Sequence, residues 1–243
     1  MKRSNPSPLG ENHDLAFVGE PGWDAASVPA STVRRWLALK NAHGKPNFDV
    51  LRRTLNADTG ERWMIDFPPA MDAREAELYA RPFAHLRKTA HGAKNFPHHP
   101  APNLALRAAL ARRTRYLATP LGGELEWAWV EPDLWPDDSL LVVARDDDFA
   151  HGLLSSRYFR LWWESFRDPK NPAHVVNSFP FPWPADDTGR LTAEQDEAKF
   201  ALNRAARSGD PDAIDAAAEL AYGWAGQEIT KLLELHRWRM QNG

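Results

Sequence analysis

The sequence of 243 residues contains no cysteine. That excludes a disulfide framework, a zinc–thiolate site and a thiol nucleophile, and it fits a reducing compartment. No apolar run approaches the roughly 18 residues of a membrane span. The opening MKRSNPSPLGENHD lacks the apolar core of a signal peptide. The expected location is therefore cytoplasmic, with no membrane partner. A phosphate-cradling glycine loop is missing as well. GELEWAWVEPD, residues 123–133, has no such spacing, so nothing suggests a nucleotide or S-adenosylmethionine pocket in this chain. Gly-x-Ser-x-Gly is also absent.

What is present first is an uneven charge. The total is only −3, which argues against a protein coated in cations. From Arg34 to Arg115, however, lysine and arginine outnumber aspartate and glutamate by nine, sixteen against seven. From Tyr116 to Phe200 the acids lead by the same margin. A polyanion-facing surface on the first half would produce this asymmetry. A surface whose charges pair across the fold would produce it equally.

Along the chain, residues 1–14 are polar and proline-containing and read as a flexible terminus. A helix follows with Ser31 as its cap and Val33, Trp36, Leu37 and Lys40 at helical spacing. Residues 41–60 read as loop, short apolar patch and loop. Arg62–Phe67 is a strand candidate. MDAREAELYARPFAHLRKTA, from Met71, reads as one helix with Ala76, Tyr79 and Phe83 on one side. LALRAALARRTRYLATP starts as a helix and ends in a strand at Tyr116–Thr119. Leu125–Val130 alternates as a strand does, and Leu140–Ala144 reads as a buried strand. FAHGLLSSRYFRLWWESF is an amphipathic helix with Leu154, Tyr158, Leu161 and Trp162 on one face.

The stretch NSFPFPWPADD, from Asn177, alternates Phe179, Phe181 and Trp183 with prolines. Proline fixes φ and donates no hydrogen bond, so this is an extended strap and not a helix or inner strand. Composition then shifts to Ala, Glu, Lys and Arg. One helix covers LTAEQDEAKFALNRAARSG. A second starts with Asp210 as N-cap and Pro211 at the first position. Its stripe is Ile214, Ala218, Ala221, Ala225, Ile229 and Leu232, and Gly223 and Gly226 break it in two.

Asp146, Asp147 and Asp148 follow a buried strand, as acids that hold Mg²⁺ in a nuclease would. FAHGLLSS supplies no Glu-x-Lys-like pair after them, so a capped turn between strand and helix is the plainer account. His91, His98 and His99 could ligate zinc, but without a fourth ligand at defined spacing they read as solvated loop histidines. Arg112, Arg113 and Arg115 beside Tyr116 form a short basic cluster of the kind that holds phosphates.

Seven segments, in order, resemble one family. They are KPNFDVLRR, RWMIDF, AELYARPFAHLR, RYLATP, LLVVARDDDFAHGLLSSRYFRLWW, NSFPFPWP and the last-helix LAYGW…EITKLLELHRWR. Together they are similar to the C-terminal part of bacterial class I adenine-N6 DNA methyltransferases of the type IIG and IIL restriction–modification and phage-defence kind. The resemblance runs from Ala16 to the last helix. It departs from the family at HGAKNFPHHPAPN, where a tryptophan-rich basic segment is usual, and at Leu235-His236, where a Leu-Asn pair is common.

The resemblance implies an α+β fold, with a target recognition domain over residues 15–184 and C-terminal helices over 185–243. It implies recognition of double-stranded DNA. Lys94, Arg112, Arg113, Arg115, Arg145 and Arg157 are the candidate DNA contacts. SNPSPLG lacks the Asn/Asp-Pro-Pro-aromatic arrangement that holds a flipped adenine, so no catalytic residue, cofactor or metal is expected in this chain. S-adenosylmethionine would bind a methyltransferase catalytic domain or subunit working beside it, the chain being a split gene product or a fragment. A small Mg²⁺-dependent nuclease using Asp146–Asp148 and a protein–protein adaptor of a defence complex are the alternatives. In the family the strap closes the recognition body, and here too its aromatics read as structural pins.

Overall fold

The computed structural model describes residues 5–90, 99, 101–184, 191–224 and 229–242. Its elements run β1 (Ala16–Val18), β2 (Ser27–Val28), α1 (Ala30–Leu37), β3 (Leu51–Asn56), β4 (Gly60–Ile65), α2 (Ala73–Glu77), α3 (Ala80–Thr89), α4 (Leu104–Leu110), β5 (Tyr116–Pro120), β6 (Ala128–Val130), β7 (Leu134–Pro136), β8 (Leu140–Val143), α5 (Asp148–Ser155), α6 (Arg157–Phe166), α7 (Pro172–Asn177), α8 (Ala193–Ser208), α9 (Pro211–Tyr222) and α10 (Ile229–Asn242). The class is α+β with helices at the C-terminal end. No helix among the described residues is long and apolar enough to cross a membrane. The chain divides into two compact units. One comprises Met1–Val18, Ala105–Val130 and Leu141–Gly243, the other Gly19–Leu104 and Glu131–Leu140.

The first unit is built on a sheet of order β1-β8-β5-β6. β1 and β8 are antiparallel, with Ala16 opposite Val143, and so are β5 and β6, with Tyr116 opposite Val130. All four residues of β8 are buried, which is what its unbroken apolar run requires of a strand covered on both faces. The amphipathic helix expected after it is two helices. Ser156 adopts extended backbone (φ −76°, ψ 159°) between α5 and α6, and its hydroxyl donates to the Leu153 carbonyl at 2.6 Å. α8 opens with a reciprocal capping box between Thr192 and Gln195 and ends at Gly209, φ 68°. α9 opens at Asp210-Pro211 and ends at Gly223, φ 70°. Both glycines sit in the left-handed conformation that closes a helix at no steric cost.

The strap lies against this helical body. Phe179, Phe181 and Trp183 are 0, 2 and 6% exposed. Trp183 stacks on Phe149 with centroids 4.9 Å apart, and Phe179 meets Phe159 edge-on at 5.1 Å. The prolines remove donors, so mainly carbonyls need partners. Asn12 Nδ2 donates to the Phe179 carbonyl at 2.8 Å, Tyr222 Oη to that of Pro180 at 3.0 Å, and Arg239 Nη2 to that of Pro182 at 3.0 Å. The N-terminal stretch read as flexible makes definite contacts over its described part. Leu9 is 2% exposed and its amide donates to the Asn177 carbonyl at 3.0 Å. His236 Nε2 lies 2.8 Å from the Ser7 carbonyl and His174 Nε2 2.7 Å from that of Pro6.

The second unit has a sheet of order β2-β4-β3-β7. β3 and β4 form a hairpin whose register runs from Leu51 opposite Ile65 to Asn56 opposite Gly60, and β7 adds parallel to β3. Asn56 Oδ1 accepts the amides of Asp58 and Thr59, both at 2.9 Å, and so shapes the turn. The core of this unit includes Val33, Trp36, Val50, Ile65, Phe67, Tyr79 and Leu86. Two expectations change here. α1 begins at Ala30 behind Pro29, with no side-chain cap, so Ser31 is inside the helix. The single helix expected from Met71 is α2 and α3, separated at Tyr79 (φ −91°, ψ 65°). Pro82 explains the break. In a continuous helix its ring would meet the Leu78 carbonyl, which would also lack its amide partner. With the helix restarted at Ala80, the missing N–H falls in a first turn, where no intrahelical bond is lost.

Candidate nucleic-acid interface

Five of the six candidate DNA contacts lie among the described residues. Lys94 lies outside them. Arg112 follows α4, is exposed, and makes no hydrogen bond or ion pair among the described residues. The other four are engaged with acids. Arg113 Nη1 is 3.7 Å from Asp146 Oδ1. Arg115, immediately before β5, donates from Nε to the Asp146 carbonyl at 3.0 Å and from Nη2 to Asp148 Oδ1 at 2.6 Å. Arg145, after β8, donates from Nε to Asp147 Oδ2 at 2.6 Å. Arg157 opens α6 and pairs with Glu219 on α9, while its backbone amide donates to Asp215 Oδ1 at 2.7 Å.

The sheet order explains this convergence. β5 and β8 are neighbours, so Arg113 and Arg115, ahead of one strand, meet the acids that follow the other. Each acid then has local work. Asp146 Oδ2 accepts from the Thr114 hydroxyl at 3.2 Å. Asp147 caps α5 by accepting the Ala150 amide at 2.9 Å. Asp148 is buried and is bridged by Arg115 and by Arg207 of α8, the latter at 2.5 Å. Burial pushes the Asp148 carboxyl up, but hydrogen bonds from Arg207 and Arg115 outweigh it and hold its pKa below the ordinary carboxylate value.

Sequence reasoning did not place three further members here: Arg207, Trp129 and His151. The Arg115 guanidinium lies 3.7 Å from the Trp129 ring centroid, and Trp129 meets His151 edge-on at 5.3 Å. Burial lowers the His151 pKa. Only the alternation of Leu-Glu-Trp-Ala-Trp-Val pointed at Trp129, as a strand residue. Nothing local in the sequence pointed at Arg207, which reaches the cluster through the packing of α8 on α5.

This constellation has a definite chemical character. Its acids are used by cations and amides, which leaves them poor metal ligands. Among the described residues no group of three or more His, Cys, Asp or Glu is placed to hold a metal ion. His99, expected in solvent, is 5% exposed, its Nε2 lying 3.1 Å from the Pro21 carbonyl. His91 and His98 lie outside the described residues.

The charge asymmetry of the sequence also disperses on folding. The second unit holds twelve lysines and arginines against thirteen acids, a net −1, and the first eighteen against twenty, a net −2. Polyanion binding would rest on local groups of free cations and not on a basic unit. Arg112 is one such group. Arg34, Lys40, Arg62, Arg81 and Lys88 in the second unit are also exposed and make no ion pair among the described residues.

The two arginines that flank this site have opposite expectations. Arg112→Ala should leave the melting transition within about 0.5 kcal/mol of wild type, as surface changes do. Arg115→Ala removes two charged hydrogen bonds, to the Asp146 carbonyl and the Asp148 carboxylate, and a cation–π contact, and should cost about 2 kcal/mol. Thermal melts of the two variants check this. Equal stabilities would show that the Arg115–Asp148 contact contributes nothing.

A scan against protein-family models and a comparison with curated proteins found no match. Among solved structures the chain is similar to the type IIL restriction–modification enzyme MmeI, whose structure was solved in complex with DNA. The TM-score is 0.56 and the identity 17%, over 99% of this chain and 37% of that one. At this identity the likeness is one of fold, and the chain spans little more than a third of that enzyme.

Proposed function

We propose that the chain is the sequence-specific DNA recognition part of an adenine-N6 DNA methyltransferase of a restriction–modification or phage-defence system. Methyl transfer would take place on a catalytic domain or subunit beside it. That part would bind S-adenosylmethionine and receive the target adenine once it is flipped from the stack. The observation that carries this reading is the fold likeness to MmeI over 99% of the chain, in agreement with the seven ordered sequence segments. Exposed cations without acid partners among the described residues, Arg112 in one unit and Arg34, Lys40, Arg62, Arg81 and Lys88 in the other, would supply phosphate contacts. The engagement of Asp146, Asp147 and Asp148 by arginines and amides gives the nuclease alternative no support from geometry.

The test is selection of duplexes from a random-sequence pool by the full chain, followed by competition at two salt concentrations. The expected result is enrichment of one short motif, with affinity that falls as salt rises. Arg112→Ala should then reduce the magnitude of the log–log salt slope by about one. Calorimetry of the chain alone with S-adenosylmethionine should show no saturable heat. A pool that emerges without an enriched motif, or saturable cofactor binding by this chain, overturns the reading.

A further inference from the structure

Two helices of the second unit share a feature that the arginine–aspartate cluster lacks. α1 and α3 hold five of the unit's twelve lysines and arginines and none of its thirteen acids. The rest of the unit is left with seven cations against those thirteen acids. Its positive charge is gathered on two elements.

The helices meet where the Trp36 ring of α1 lies edge-on to His85 of α3, with centroids 5.6 Å apart. Val33 and Trp36 of the one and Pro82 and Leu86 of the other are buried. Three cations converge above this seam. Arg81 and Lys88 stand four residues before and three after His85, so they share its side of α3. Arg35 donates from Nη2 to the Thr32 hydroxyl at 3.2 Å. Thr32 is one turn before Trp36, so the guanidinium is drawn to the side of α1 that faces α3. Arg87 is turned elsewhere, over the Phe83 ring at 5.9 Å. Arg35, Arg81 and Lys88 are exposed and form no ion pair among the described residues. Acids on the neighbouring elements have other work. Asp72 accepts the Glu75 amide at 2.8 Å, Glu75 pairs with Lys45 at 3.2 Å, and Asp49 accepts from the Tyr79 hydroxyl at 3.2 Å. Asp24 and Glu77 are exposed and form no ion pair among the described residues.

We infer that the α1–α3 seam is a sequence-independent anchor for the phosphate backbone of a DNA duplex, separate from the residues that read its bases. Arg81 and Lys88 are about 10 Å apart along the helix. A duplex carries about six phosphates over that length of axis, enough for all three cations. Two helices side by side are about 20 Å across, each being about 10 Å in diameter, whereas the major groove is about 12 Å wide. The pair cannot enter the groove together and meets the backbone, and phosphate contacts position a protein without specifying sequence. A lipid surface is the poorer match, because a helix that inserts needs a free apolar face. Leu37, 40% exposed, is the one large apolar side chain that the two helices leave exposed. The choice of DNA among polyanions rests on the DNA-recognition reading above; the gathering of charge does not.

The experiment compares the full chain with Arg35→Gln/Arg81→Gln/Lys88→Gln and with a control of equal charge, Lys170→Gln/Arg204→Gln/Arg237→Gln, whose side chains are exposed in the first unit. Fluorescence anisotropy with duplexes of unrelated sequence is read over a salt series, beside selection from a random duplex pool and thermal melts. The seam variant should lose affinity by one common factor for every duplex, with a log–log salt slope smaller in magnitude by about three. Its enriched motif and melting curve should match wild type, and the control should keep the wild-type slope. Lys88→Gln alone, expected to lower the slope by about one, serves the same test should the triple variant melt early. An unchanged slope in the seam variant, an equal fall in the control, or a changed motif overturns the anchor. The unchanged slope beside a motif enriched by wild type does so and leaves the DNA-recognition reading standing. A reduced slope with no motif enriched by wild type supports the anchor and overturns sequence-specific recognition. Absence of duplex binding by wild type, with or without binding to phosphatidylserine vesicles, overturns both.

Discussion

Phe181→Ala is expected to destabilise the first unit by about 3–5 kcal/mol, the cost of truncating a buried aromatic and leaving its cavity. Phe181 is 2% exposed and belongs to the principal apolar cluster of that unit. It meets Phe179 edge-on at 5.2 Å, and Phe179 meets Phe159 and Trp162 in turn. Whole domains are stable by only about 5–15 kcal/mol, so the loss is a large part of the total. The competing role for an aromatic in a DNA-recognition protein is base stacking, which needs an accessible ring face. A side chain 2% exposed offers none. Thermal melting and a duplex titration on one sample separate the two. The expected result is a strongly lowered transition, with binding lost only in proportion to the folded fraction. A variant that melts with wild type yet binds less well would make the strap part of the DNA surface.

The strap was legible in the sequence because proline restricts backbone directly, with no help from tertiary context. The same holds for Asp210-Pro211, which opens α9 as expected, and for the break at Gly223. β3 was not legible. Leu-Arg-Arg-Thr-Leu-Asn alternates poorly and carries two charges. It becomes a strand because its neighbours neutralise both: Arg52 pairs with Asp66 at 2.7 Å, and Arg53 with Glu61 at 2.7 Å and Asp133 at 3.0 Å. Those acids lie up to eighty residues away in sequence, where a local pattern cannot reveal them.

Long range also separates the candidate site from its surroundings. Arg112, Arg113 and Arg115 were visible as a run of cations. That Arg113 and Arg115 spend their charge on Asp146 and Asp148 depends on β5 and β8 being sheet neighbours. The basic and acidic halves of the sequence likewise cancel because Glu131, Asp133, Asp137 and Asp138 return to the unit that holds Arg34–Lys88. Local chemistry therefore identified elements and caps, whereas the charge state of the surface follows from topology.

Gly19→Ala should be the most damaging small substitution in the second unit. Gly19 is buried where the chain passes beside the end of β7. Its amide donates to the Leu140 carbonyl at 3.1 Å, and the next amide, of Glu20, to the Pro136 carbonyl at 3.1 Å. A Cβ placed on Gly19 would lie 2.1 Å from the Asp137 carbonyl oxygen and 2.6 Å from that of Pro136. Both obstacles are backbone, so no rotamer change relieves the overlap and the two segments must part. Parting breaks the hydrogen bonds just named and strains the bridge between Glu20 and Asp137. Alanine reduces the freedom of the unfolded chain, a gain of about 0.4–1 kcal/mol. Overpacking against fixed atoms costs about 3 kcal/mol, at the upper end of its usual range, and decides the sign. Gly22 is the internal control, since a Cβ there meets nothing within 4 Å; Gly22→Ala should stay within about 0.5 kcal/mol of wild type. Denaturant titrations of both variants test the contrast. Near-wild-type stability of Gly19→Ala would mean that the backbone at Gly19 and Asp137 separates at little cost and does not hold Glu20 in place.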